Sequence, residues 1–343
     1  MGFPANTLVH TSRGLVRISA LNPGRDLASG PNYTSNKVVG VTVTENSPLA
    51  KVTLSIGKEV IVSQDQNLLV CKSLEGDYEP VAVNVADPVF PLIFLEEPCG
   101  NMDLKLTLPC CQAYILGYML SKSFSRKSDK IRIDELIPTY ILEGSIATRA
   151  DFLVGVMEFI HYETIQRSVL AMHKNAELVA GLQSLYASMG ICTIREHKSY
   201  MHMSKGVRYN RNRYVLVLPS IASQRRRYET IFRNEYLDPE RLVNPKIRNS
   251  QIFYYPTLFL KRDIFKNSNA HPVSNSGVFY DDAFYDWHER TLDFKRSFAY
   301  PKIPHIPTKI LGIENLKETG TVYNLQLEDS STPFCCEGIL YSV

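Results

Sequence analysis

Residues 137–161 read IPTYILEGSIATRADFLVGVMEFIH. A turn-forming stretch with Pro138 and Gly144 leads into a run whose apolar residues recur at helical spacing, with Phe152, Leu153, Gly155 and Val156 as its packing surface. The run ends on Phe159, Ile160 and His161, with Glu158 just before them. A second stretch, CCQAYILGYMLSKSF (110–124), has a related pattern around Gly117. Gly117 and Gly155 leave room for two such helices to approach closely.

Outward from this pair the texture changes on both sides. Residues 3–110 contain NTLVHT, GLVRIS, KVVGVTVTE, AKVTLSI, KEVIVSQ and QNLLVCK, short β-branched runs separated by Gly, Pro and Asn. These predict a compact all-β fold. Downstream, NAELVAGLQSLYASMGI predicts an amphipathic helix on Leu178, Val179, Leu182, Leu185, Tyr186 and Met189, stopped by Gly190. ICTIREHKSYMHM and NRYVLVL predict an antiparallel pair, and the polar, basic SQRRRYETIFRNEY (223–236) predicts a helix. Residues 237–300 are irregular and aromatic-rich and hold the only tryptophan, Trp287. PKIPHIPTK (301–309) reads as an extended connector, and TKILGIENL, GTVYNLQLE and CCEGILYSV return to strands. No repeat of fixed period is present.

Composition bounds the function. The 343 residues are 44% hydrophobic and 21% charged, which suits a globular chain of about two domains. A net charge of +3 excludes a strongly basic nucleic-acid protein, though not a local basic face. The seven cysteines (71, 99, 110, 111, 192, 335 and 336) include no C-x-x-C pair, so neither a zinc site nor a disulfide framework follows. Buried free thiols are expected, and the adjacent pairs Cys110–Cys111 and Cys335–Cys336 could meet if the chain ends fold together. No apolar run is long enough to span a membrane, and MGFPANTLVH lacks the features of a signal or transit peptide. The expected setting is the cytoplasm or nucleus, with organelle import left open.

Three separated segments carry a resemblance. GFPANTLVHTSRGLVRISAL at the start, GTVYNLQLE with TPFCCEGILYSV at the end, and YILGYMLSKS with FLVGVMEFIH between them resemble the HINT domain of self-splicing inteins interrupted by a LAGLIDADG homing endonuclease. The nearest look is to the branch with the yeast vacuolar-ATPase intein and the mating-type-switching endonuclease. IPTYILEGSIATRADFLVG is the most specific single match. The resemblance spans more than half of the chain and leaves 237–304 unmatched. It implies an α+β organisation: an all-β HINT domain built from 1–110 and 305–343, and an inserted α/β LAGLIDADG-like endonuclease domain over 111–236. The aromatic segment 237–304 is extra. Leu116 and Leu153 are only 37 positions apart, too few for a complete first half, so that half is expected to be truncated.

The resemblance also says which groups the two chemistries require. Splicing starts with a thiol or hydroxyl attacking the preceding carbonyl, and Gly2 stands there. A Thr-x-x-His motif polarises the scissile amide and protonates the leaving amine. Ser63 and Gln66 stand there, and an amide does not titrate near neutral pH. Release requires a terminal Asn helped by His, where this chain has Ser342 and Val343. In the nuclease each dodecapeptide helix ends in an Asp that holds a divalent metal, and the matching positions are Lys122 and Ile160. Exchanging carboxylate for ammonium turns an attraction of roughly 4 kcal/mol per charge pair at about 4 Å into repulsion, and Mg²⁺ needs hard oxygen ligands. Glu158, with Asp151 or Glu163, is the weak alternative ligand set.

No cofactor is therefore expected; Mg²⁺ would be that of the ancestral endonuclease. The expected function is non-catalytic, a pseudoenzyme kept for binding or structure as a subunit of a protein complex. Two alternatives stand beside it: an active but divergent homing endonuclease or splicing element, and a nucleic-acid-binding factor using residues 205–228. In the latter, Arg208, Arg211, Arg213, Arg225, Arg226 and Arg227, interleaved with Tyr209, Tyr214 and Tyr228, would meet phosphates and bases of DNA or RNA.

Overall fold

The computed structural model describes residues 1–30, 34–71, 78–83, 92–95, 110–123, 137–163, 169–204, 207–218, 228, 231–232, 254–255, 278–279, 305–308 and 310–343. Four short strands open the chain: β1 (Phe3–Pro4), β2 (Leu8–Thr11), β3 (Gly14–Arg17) and β4 (Leu27–Ser29). The long β5 (Ser35–Leu54) follows, then β6 (Glu59–Ser63), β7 (Asn67–Cys71), β8 (Tyr78–Ala82) and β9 (Leu92–Leu95). A helical region contains α1 (Cys110–Ser123), α2 (Thr139–Leu142), α3 (Ile146–Glu163), β10 (Val169–His173), α4 (Ala176–Ala187), β11 (Ile194–Ser204) and β12 (Val207–Val217). Beyond the short pair β13 (Tyr254–Tyr255) and β14 (Val278–Phe279), the chain returns as β15 (His305–Thr308), β16 (Ile310–Leu327), β17 (Phe334–Cys336) and β18 (Ile339–Tyr341).

The two chain ends build one β lobe. β16 runs antiparallel to β5 from Ile310 opposite Leu54 to Leu327 opposite Val38, with register shifts on the way. β1 adds to β16 through Phe3 opposite Tyr323. β17 meets β2, and β18 meets β7 and β9. Period-2 burial in β5 sends Asn36 and Val38 inward at one end and Ala50, Val52 and Leu54 at the other. Phe3 packs edge-on against Tyr341 (4.9 Å) and Phe334 (5.8 Å), so aromatic burial holds the ends together.

In the second lobe α1 and α3 lie side by side. A Cβ on Gly117 would strike the Phe152 carbonyl, and one on Gly155 the Tyr114 carbonyl, so each glycine admits the other helix's backbone. The Ser145 hydroxyl accepts the Thr148 N–H at 3.1 Å, filling one of the open donors where α3 begins. Asn175 caps α4 by accepting from the N–H groups of Glu177 and Leu178. Gly190, at φ 76°, stands just beyond the Ser188 C-cap, as expected for a helix stop. The antiparallel pair β11–β12 forms as expected, with β10 on its other edge in the order β10-β12-β11.

Strand β10 is the correction here. VLAMH lies between two expected helices, and its burial is nearly continuous, so it gives no alternation to read. Of the expected helix 223–236, Tyr228, Ile231 and Phe232 are described and helical. The aromatic segment and the first half between α1 and α2 lie outside the described residues, apart from β13 and β14. No helix among the described residues is long and apolar enough to cross a membrane.

The lobes share a continuous, partly polar seam. Leu15 of β3 is buried in the helical core, and Ala187 and Cys192 in the β core. The Ile56 carbonyl accepts from the Arg195 N–H (2.9 Å) and from the Gln183 side chain (3.1 Å). Gly57, at φ 71°, accepts on its own carbonyl from Arg195 Nε at 2.8 Å, and a Cβ there would meet the Arg195 carbonyl. Arg13 joins buried Asp26 on its own lobe to Glu143 beside α2.

Candidate functional site

Four of the five residues assigned to the splicing positions fall at one place in the β lobe. β1 places Gly2 beside the turn after β6, where the Ser63 N–H donates to the Gly2 carbonyl at 2.9 Å. Gln66, buried in the same turn, donates from Nε2 to the Ser342 carbonyl at 3.0 Å and to the Asn67 carbonyl at 3.1 Å. Val343 packs partly buried against the same core. The amide of Gln66 thus ties the end of β18 down as a hydrogen-bond donor, with no proton to give or take.

Gly2 itself is at φ 155°, a backbone conformation that side-chain-bearing residues rarely adopt. A Cβ there would meet Asn324 Oδ1 and, at 2.9 Å, Val322 Cγ2. The space where a nucleophile would start is filled by β16. Asn324 donates from Nδ2 to Thr44 at 3.1 Å. Two contributors were not singled out from sequence: Asn324, and Asp65, which binds the α-ammonium of Met1 at 2.6 Å. The Asp65 carboxyl is held below its usual range: burial works to raise it, and the ammonium and Ser63 outweigh that effect. Both residues were visible only as polar positions in strands and turns, with no spacing that marks them.

The other candidate residues do not join this locus. Lys122 and Ile160 lie on α1 and α3, and the side chains of both, and of Glu158, are outside the described residues. Asp151 is half-buried on α3, and no group of three or more metal-binding side chains occurs among the described residues. Arg208, Arg211 and Arg213 share β12, with Arg213 opposite Lys198 and Arg211 opposite Tyr200 on β11. Arg211 and Arg213 are in phase along the strand and Arg208 is out of phase. Arg225, Arg226 and Arg227 are outside the described residues. Cys192, Cys335 and Cys336 are buried free thiols; burial pushes Cys335 and Cys336 well up, so they stay protonated.

His10 on β2 is fully enclosed, and burial, followed by the charges of Arg149 and Lys58, lowers its pKa from 6.5 to about 3. The unfolded chain therefore binds a proton below pH 6.5 that the folded chain refuses until about pH 3. The resulting stability is present above pH 6.5 and falls with pH below it. Between pH 7 and 5 this single group costs about 2 kcal/mol. Urea denaturation at both pH values should show that loss, and His10→Gln should remove its share.

No family model matches the chain, and no curated protein matches it. Among solved structures it is similar to the gp41-1 intein, with 23% identity over 27% of this chain and 67% of that one and a TM-score of 0.23. It is also similar to a mutant of an Ssp DnaB mini-intein variant, with 12% identity over 32% of this chain and 71% of that one and a TM-score of 0.24.

Proposed function

We propose that the chain is an intein-like protein without splicing or nuclease chemistry, kept as a binding or structural protein within a larger assembly. One observation carries this reading. The place of the attacking side chain is closed, with Gly2 against Asn324 and Val322, while the neighbouring Gln66 amide is committed to the Ser342 carbonyl. With no side chain at the attacking position and an amide at the proton-transfer position, the locus lacks the two groups that acyl transfer requires.

The test is to express the chain with short flanking peptides at both ends and follow its mass. The expected result is an unchanged precursor, with no ligated or cleaved product. Gly2→Cys is expected to stay inert as well, because a thiol at this position must first displace Asn324 and Val322. Ligation by the unchanged sequence would overturn the reading. A thioester in Gly2→Cys would reduce the loss to one side chain. The subunit role predicts that the purified chain elutes from its source in a stable complex rather than alone.

A second reading has its own observation. β10 stops at His173 opposite Tyr214, so β11 and β12 continue past it as a two-stranded ribbon carrying Lys198, Arg208, Arg211 and Arg213. Such a ribbon can follow a nucleic-acid backbone. Binding to RNA or DNA that weakens steeply with salt, and is lost when Arg211 and Arg213 are changed to Gln, would favour it.

A further inference from the structure

We propose that the seam between the two lobes binds one small inorganic anion, a halide or an oxyanion, on donors of Arg149, His10 and Lys58. The argument is a surplus of buried donors. Arg149, in the first turns of α3, is 2% exposed. Its NH1 donates to the Ser188 carbonyl at 3.4 Å and to the Ser188 hydroxyl. No carboxylate among the described residues reaches it, and its Nε has no acceptor. The C-terminus of α4 supplies about half a negative charge at most, which leaves a buried cation incompletely neutralised.

One turn away on the same helix, the Ser184 hydroxyl accepts from Lys58 Nζ at 3.0 Å, so α4 brings the two cations to one face. Lys58 is 4% exposed and pairs with Glu337 at 3.0 Å. That accounts for two of its three ammonium hydrogens and for the only acid among the described residues paired with either cation. The residue after Glu337 closes the circuit: the Gly338 N–H donates to His10 Nε2 at 3.0 Å. With Nε2 acting as acceptor, the ring proton of a neutral imidazole sits on Nδ1. Nδ1 is buried and has no partner among the described residues. Two lone N–H donors and a spare ammonium hydrogen, beside two cations matched by one carboxylate, are the chemistry of an anion site.

The experiment follows thermal unfolding of the full chain at constant ionic strength, replacing the bulky gluconate ion by chloride, sulfate or phosphate in separate series. The expected result is a saturable rise in Tm, roughly 2 °C at about ten times Kd. The series that saturates first distinguishes a halide from an oxyanion. Arg149→Met should lose the saturable rise. Should that variant fail to fold, chloride-35 relaxation on the unchanged protein decides: excess line broadening, displaced by sulfate or phosphate, supports the site. A Tm that does not change on exchange at constant ionic strength, an equal response in Arg149→Met, or no excess broadening overturns it.

Discussion

Gly155→Leu is expected to destabilise the protein by about 3–4 kcal/mol, although leucine is the better helix former by nearly 1 kcal/mol. The sign is decided by what the side chain would meet. Gly155 faces backbone: the Tyr114 carbonyl and, at 2.8 Å from a Cβ, the Tyr118 nitrogen. Flexible side chains could turn away, but a helix backbone cannot. α1 and α3 would have to separate, opening the packing around Ala113, Phe152 and Val156, all buried. Gly155→Ala should cost less, about 1–2 kcal/mol, because its helix preference offsets part of the clash. Urea denaturation of both variants checks the order. An alanine variant more stable than the parent would mean that the helices do not touch at this point.

Arg13→Met should cost about 3 kcal/mol, for a different reason. Asp26 is 1% exposed and receives Arg13 Nε at 2.7 Å and NH2 at 3.0 Å. Removing the guanidinium leaves that carboxylate with only the Asn22 N–H among the donors described here. A buried charge that loses its partner keeps the full desolvation cost. Glu143, at the other end of the same arginine, is 28% exposed and can turn to water. Glu143→Gln is therefore expected to cost 1 kcal/mol or less. Comparing the two by thermal and urea unfolding separates buried from screened electrostatics within one three-residue network.

What the residues disclosed in advance follows from range. The strands of the opening and closing segments, the α4 helix with its stop at Gly190, and the small residues at 117 and 155 are local patterns, and each has its place in the fold. β10 was hidden because a strand buried on both sides has no polar alternation. The seam was hidden for another reason. Nothing in the surroundings of Lys58, Arg149 or Leu15 marks them as seam residues, since contacts such as Arg149 with Ser188 and Lys58 with Ser184 lie too far apart in the chain to leave a period to detect. The locus around Gly2, Ser63, Gln66 and Ser342 was readable only through the resemblance, as positions lacking the groups that splicing requires. That Asn324 fills the space beside Gly2 is a matter of register between β1 and β16, which pair residues more than 300 positions apart. The metal and basic positions on α1, α3 and the arginine-rich stretch lie largely outside the described side chains.

The pairing of β1 with β16, β2 with β17 and β7 with β18 has a consequence for biosynthesis. A ribosome delivers the first member of each pair tens of seconds before the second. Throughout that interval Phe3 has no partner strand, and Val9 and Leu68, though paired locally with β3 and β8, keep the edges meant for β17 and β18 open to holdase chaperones or to other nascent chains. Closing loops of this length is slow. Productive maturation in the cell should therefore depend on chaperone supply and on translation speed through the closing segment far more than the helical lobe, whose pairings are local, would require.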